Sequence, residues 1–219
     1  MKYHYIAVEG PIGVGKTSLV NLLSPKMNSI KVLEETENPF LKDFYLDREG
    51  SAFQTQLFFL LNRYRQQQEL LQQDLFNRVT LCDYLFAKDK IFAYLNLNDS
   101  ELLIYEKLYK MLEENVPQPD LVIYLQATVD VLMERIHKRK RHIEMSISEE
   151  YIGEVTKAFN YFFFHYTATP LLVINTSEID FVEREEELDD LISEIEKMEK
   201  GTKYYVPLGS QKGPGREEE

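Results

Sequence analysis

The chain has 219 residues, 44 % hydrophobic and 28 % charged, a balance that suits one α/β domain with a full apolar core. Its formal charge of −12 argues against duplex nucleic acid or an anionic membrane as partner, because the overall field would repel either. Cys82 is the one cysteine, which excludes an internal disulfide and a Cys-based zinc site. Without a leader or a membrane-length apolar run, the expectation is a soluble cytoplasmic protein.

The run Tyr3–Glu9 reads as a first strand, and it leads into Gly10-Pro11-Ile12-Gly13-Val14-Gly15-Lys16-Thr17-Ser18. A glycine-rich turn between a strand and a helix presents backbone N–H groups inward and places the helix N-terminus behind them, which makes a phosphate cradle. Lys16 reaches the outer phosphates of a bound nucleotide, and the Thr17 hydroxyl is a Mg²⁺ ligand.

Further β-rich runs follow at Ile30–Glu34, Val79–Asp83, Leu121–Leu125 and Leu171–Asn175, separated by helix-length segments. The alternation predicts a three-layer α/β fold, a five-stranded parallel sheet with helices on both faces, as in phosphate-loop kinases. Ligands then gather beyond the carboxyl ends of the strands. Ser51–Asp74 and Ser100–Asn115 read as amphipathic helices with more apolar surface than one sheet face needs, which fits either core packing or a helical dimer interface. Glu149–Thr167 is a further helix with an aromatic core cluster, and Glu183–Lys200 a charged terminal one. The domain is expected over residues 1–200. A tail, 201–219, follows, with a Tyr204-Tyr205-Val206-Pro207-Leu208 patch able to dock and a disordered end from Gly209.

No Asn-Lys-x-Asp guanine-reading motif occurs, which counts against a GTPase switch. The stretch Arg135-Ile136-His137-Lys138-Arg139-Lys140-Arg141-His142-Ile143-Glu144 carries five Lys or Arg among ten residues of an acidic protein. A lid of arginines suits phosphoryl transfer, since guanidinium groups stabilise the charge spread over the transferred group while excluding water. Arg135, Arg139 and Arg141 are the candidates. A hydroxyl acceptor also needs a carboxylate. Glu34 and Glu35 end the second strand and are both candidate bases, Glu34 the better one; Asp83 ends the third and suits Mg²⁺ or positioning of the base. Gln54, after Phe53, offers an amide that can pair with a heterocycle.

In combination these motifs resemble the deoxynucleoside kinase family, particularly its bacterial deoxyadenosine and deoxyguanosine kinase branch. The resemblance spans about Tyr5 to Val182. It includes the phosphate loop, Glu34-Glu35 before Asn38-Pro39-Phe40-Leu41, Phe53-Gln54-Thr55-Gln56 leading to Asn62-Arg63-Tyr64, and Asp83-Tyr84-Leu85-Phe86-Ala87-Lys88-Asp89. Pro119-Asp120, the arginine lid and Asp180-Phe181-Val182 complete it. By that resemblance Glu34 activates a sugar 5′-hydroxyl, Gln54 reads the base, Asp89 helps set base preference, and Tyr45 with Glu144 holds the 3′-hydroxyl. Asp180-Phe181 then lies over the adenine of ATP.

Many relatives carry Asp/Glu-Arg-Ser where this chain has Asp83-Tyr84-Leu85, so Lys88 or a lid arginine is expected to supply the missing charge. The resemblance implies an ATP- and Mg²⁺-dependent, homodimeric kinase that phosphorylates a deoxyribonucleoside, most readily a purine one. A nucleoside monophosphate kinase of the thymidylate kinase type is the nearest rival, and a non-catalytic nucleotide-binding regulator a second.

Overall fold

Apolar, β-branched runs supply the sheet. In the computed structural model, which describes residues 2–46, 48–72, 79–141, 144 and 146–207, the strands are β1 (Tyr5–Glu9), β2 (Ile30–Val32), β3 (Thr80–Cys82), β4 (Leu121–Gln126), β5 (Leu171–Asn175) and β6 (Thr202–Tyr205). They form one sheet in the order β2-β3-β1-β4-β5-β6, every neighbouring pair parallel. Ala7 on the central β1 lies opposite Cys82 on one side and Val122 on the other.

The helices are α1 (Lys16–Lys26), α2 (Leu41–Tyr45), α3 (Ser51–Gln72), α4 (Lys88–Asn96), α5 (Asp99–Glu113), α6 (Val129–Arg139), α7 (Glu149–Phe164) and α8 (Glu185–Lys197). Side chains alternate across the sheet. Ile6 and Val8 pack with Leu19 and Leu23 of α1, Ile136 of α6 and Leu191 of α8 on one face. Ala7, Val122 and Tyr124 pack with Ile91 of α4 and Phe159 and Phe163 of α7 on the other.

The layered parallel sheet is the expected one, but it has six strands rather than five. β6 pairs Leu171 through Ile174 of β5 with Thr202 through Tyr205, so the folded body continues past residue 200 and Tyr204 and Tyr205 belong to an edge strand. The expected disordered end from Gly209, and Leu208, lie outside the described residues. Short helices α2 and α4 were not expected; α4 delivers Lys88 and Asp89 to the site. Each expected helix begins within two residues of its predicted start.

Candidate active site

A cleft of about 480 Å³ opens at the carboxyl ends of β1, β2 and β3, with the phosphate loop at one end and α2, α3 and α4 at the other. The loop owes its course to glycine. Gly13 has φ +87°, and a Cβ there would meet Leu132 O at 2.9 Å and Ile136 Cγ1 at 2.8 Å, so the loop lies directly against α6. Gly15, at φ +106°, caps α1 and leaves room for the Phe181 ring, whose Cζ would stand 3.1 Å from an added Cβ. Both conformations strain any residue with a side chain. Gly10, Ile12, Gly13, Val14, Gly15, Lys16, Thr17 and Ser18 line the cleft, whereas Pro11 is buried behind it.

Lys16 donates to Gly10 O at 2.6 Å and Pro11 O at 3.2 Å. Burial lowers its pKa, and Glu9, 3.8 Å away, opposes that shift. The Thr17 hydroxyl donates to Asp83 Oδ2 at 2.5 Å, while Asp83 Oδ1 accepts the Glu34 backbone N–H at 2.6 Å. This pair fits Mg²⁺, which needs only one or two protein oxygens and takes the remainder from water and phosphate. Among the described residues no cluster of three or more His, Cys, Asp or Glu forms a metal cage.

At the end of the cleft formed by α2, α3 and α4, Glu34 follows β2 and faces the cleft. Its Oε1 accepts Arg63 Nε at 2.8 Å and NH2 at 2.5 Å, and its Oε2 accepts Lys88 Nζ at 2.6 Å. Burial would raise the Glu34 pKa, but the Lys88 ammonium and the Arg63 guanidinium outweigh it and hold the carboxyl well below its usual range. Glu35 is half exposed, ion-paired with Arg65 at 3.5 Å, and does not line the cleft. The geometry therefore separates the two adjacent carboxylates.

Two sequence expectations on this side need correction. Gln54 is exposed and absent from the cleft wall; Gln56, buried, is the glutamine that lines it. Two residues on a helix turn through about 200°, so the two amides point to opposite faces of α3. Ala52, Thr55, Gln56, Phe59 and Arg63 form the stripe that faces the cleft. The signal available in the sequence was Arg63, two helical turns beyond Gln56.

Asp89, in turn, lies behind the cleft wall and is fully buried. It accepts from Gln56 Nε2 and Arg63 NH1, and from the Tyr105 hydroxyl at 3.1 Å. Burial raises its pKa, opposed mainly by Arg63. It holds Gln56 and Arg63, which line the cleft, from behind. Arg63 and Glu9, neither assigned a role from sequence, are the charged groups that join this network.

Tyr84, at the position of the missing arginine, is buried and accepts from Gln67 Nε2 at 3.0 Å. The Lys88 ammonium, from the first turn of α4, stands on Glu34 instead.

Tyr45 and Glu144 both line the cleft, as do Arg135, Arg139 and Arg141. Arg139 and Arg141 pair with Glu144, the latter at 3.6 Å. Arg135 departs from the expected lid role. Its NH1 donates to Val14 O at 3.2 Å and Thr176 Oγ1 at 3.0 Å, and its NH2 to Thr176 O at 2.8 Å and Ile179 O at 3.2 Å. Its terminal nitrogens thus brace the phosphate loop against the segment after β5. His142 and Ile143 lie outside the described residues. Asp180 and Phe181 line the cleft beside the phosphate loop, where Phe181 is buried against Gly15.

A parallel sheet with a glycine cradle, a lysine and a hydroxyl–carboxylate pair at its rim, facing a buried carboxylate, defines a phosphate-loop phosphotransferase. The profile of the deoxynucleoside kinase family matches residues 6–199. Deoxyguanosine kinase of Bacillus subtilis is 37 % identical over 153 residues, 69 % of this chain and 74 % of that protein. Deoxyadenosine kinase of Dictyostelium discoideum is 34 % identical over 202 residues, 89 % and 80 % respectively. The solved structure of M. mycoides deoxyadenosine kinase with bound dATP superposes with a TM-score of 0.76 at 24 % identity, covering 88 % of this chain and all of that one, and supports the fold. The chain belongs to the deoxynucleoside kinase family, enzymes that phosphorylate deoxynucleosides.

Proposed function

We propose that this chain transfers a phosphoryl group from ATP to the 5′-hydroxyl of a purine deoxyribonucleoside, with Glu34 taking the hydroxyl proton. The observation that carries this reading is charge matching on the acceptor side. Arg63 is paired with Glu34 and Asp89, and Lys88 with Glu34. Among the described residues of α3 and α4, both cations on the cleft wall are thus matched, and a phosphomonoester beside Glu34 would be repelled. That favours a nucleoside over a monophosphate acceptor.

The base stands among Phe59, Phe92 and Tyr151, all on the cleft wall. The Gln56 amide nitrogen is committed to Asp89, so its carbonyl oxygen, with Arg63, is left to read the base edge. Tyr45 and Glu144 suit the 3′-hydroxyl. Lys16 and the loop amides bind the donor phosphates, Arg139 and Arg141 steady the transferred group, and Asp180-Phe181 covers the adenine. Thr17 and Asp83 would hold Mg²⁺, which would supply charge neutralisation for the transferred phosphoryl group. Leu103, Ile104 and Met111 are exposed on α5 and Leu61 on α3; an apolar surface of this kind supports a homodimer. We place the enzyme in the cytoplasm.

Steady-state phosphorylation of deoxyadenosine, deoxyguanosine, deoxycytidine, thymidine and their monophosphates, by wild type and Glu34→Gln, tests the reading. A purine nucleoside is expected to turn over, with kcat lowered about 10²- to 10⁴-fold in the variant. Turnover of monophosphates alone would overturn the acceptor assignment. ATP binding without turnover of any acceptor would favour the regulator.

A further inference from the structure

Glu9 is a buried carboxylate that the mechanism above leaves unused. Glu9 ends β1, is 0 % exposed, and does not line the cleft. Its Oε1 accepts the Gly10 N–H at 2.9 Å and lies 3.8 Å from Lys16 Nζ. Its Oε2 accepts the Leu85 N–H at 2.8 Å and lies 4.0 Å from Lys88 Nζ. One oxygen therefore faces the lysine of the phosphate loop and the other the lysine beside Glu34.

Lys88 stands between two carboxylates, 2.6 Å from Glu34 Oε2 and 4.0 Å from Glu9 Oε2. With Lys16 close by, Glu9 needs only part of the Lys88 charge. An anionic donor on the loop changes that balance, because it draws the Lys16 ammonium toward its phosphates. A buried carboxylate that loses a cation carries a large desolvation cost, and Lys88 is the cation within reach.

We propose that Glu9 is a positioning residue that couples the two halves of the site. When the donor draws Lys16 away, Lys88 shifts from Glu34 toward Glu9 and opens Glu34 Oε2 for the acceptor hydroxyl. The inference rests on the proposed nucleoside kinase reading and adds to it an order of events. The base is masked until the donor is in place. Such coupling is reciprocal, so each ligand must tighten the other by the same factor.

The test uses the full chain, whichever of deoxyadenosine and deoxyguanosine it phosphorylates, and the non-hydrolysable β,γ-methylene analogue of ATP with Mg²⁺. Nucleoside affinity is measured by calorimetry with and without the analogue, for wild type and Glu9→Gln, alongside kcat, KM and thermal melts. In wild type the analogue is expected to tighten nucleoside binding at least about fivefold, and the nucleoside to tighten the analogue equally. Glu9→Gln keeps the side-chain volume but not the charge, and the coupling factor is expected to fall below about twofold, with a lower kcat.

A scaffold role alone would lower the melting temperature and leave the coupling factor unchanged, which would overturn the proposal. So would a wild type without coupling. Should Glu9→Gln fail to fold, Lys88→Gln carries the same expectation, because the shared cation is gone. Wild-type enzyme that phosphorylates no nucleoside overturns the functional reading together with this one. Active wild type with undiminished coupling in the folded variant overturns this one alone.

Discussion

Substitution of the two glutamines of α3 separates the side that faces the cleft from the side that faces water. Gln56 is buried in the cleft wall with Nε2 donating to Asp89, while Gln54 is exposed. Replacing Gln56 with leucine preserves bulk and removes the amide, so a base edge enters the cleft with a polar group unpaired at a cost of about 1–3 kcal/mol. Asp89 keeps its donors from Arg63 and Tyr105 but loses one, which costs about 1 kcal/mol of folding stability in free and bound enzyme alike. Only the base-edge cost, about 1–3 kcal/mol, enters kcat/KM, and it is roughly a 5- to 140-fold loss at 1.4 kcal/mol per factor of ten. Gln54→Ala, at a solvated position, stays within about twofold of wild type. Initial-rate measurements with the preferred nucleoside at fixed saturating Mg-ATP read both variants. A crippled Gln54→Ala beside a near-normal Gln56→Leu would refute the helical phase argued here.

Gly13→Ala forces a Cβ against Leu132 O and Ile136 at a φ of +87°; urea unfolding is expected to show a loss of at least about 1–3 kcal/mol, and an unchanged midpoint would mean that the loop does not lie against α6. Truncation after Lys200 removes β6 and bares the β5 edge from Leu171 to Ile174; a lower melting temperature and more aggregation are expected, whereas an unaffected melt would show that the sixth strand adds nothing to the fold. Glu34 has a folded-state pKa depressed below its ordinary 4.5, so its stabilising contribution is present above that value and is lost as pH falls through and below it. Between wild type and Glu34→Gln, the stability difference should therefore shrink on acidification below about pH 4.5, by at most roughly 1.4 kcal/mol per pH unit, and urea titrations at pH 3 to 6 would detect a constant difference if Glu34 were not clamped.

How much of this was legible in the sequence depends on the length scale over which each feature is encoded. The phosphate loop is local. Its glycines, Lys16 and Thr17 lie within one turn of chain, and the strand before it and the helix after it confirm the reading. The four interior strands, β3, β1, β4 and β5, are equally local, because both their faces are covered and they read as apolar runs. β6 escapes the same reading for the same reason. Thr202-Lys203-Tyr204-Tyr205 alternates exposed with half-buried residues and gains its pairing only from β5, thirty residues earlier in the chain.

The site shows the division more sharply. Glu34 and Glu35 could both be named as candidate bases, but their separation depends on Arg63 and Lys88, which arrive from α3 and α4. The choice between Gln54 and Gln56 depends on helical phase. The apolar positions Phe53, Leu57, Leu60, Leu61 and Tyr64 fix that phase loosely, because α3 packs on more than one neighbour. A polar residue that must be buried is the better marker. Arg63 is almost fully buried, a guanidinium needs carboxylates on either side of it, and the residue two turns before it shares its face. Lys16, Lys88 and Arg63 interleaved with Glu9, Glu34 and Asp89 form a charge-matched set assembled from β1, α1, α3, α4 and the segment after β2. No stretch of sequence contains more than two neighbours of that set. Its balance, on which the proposed choice of acceptor rests, exists only once the sheet has brought those segments to one rim.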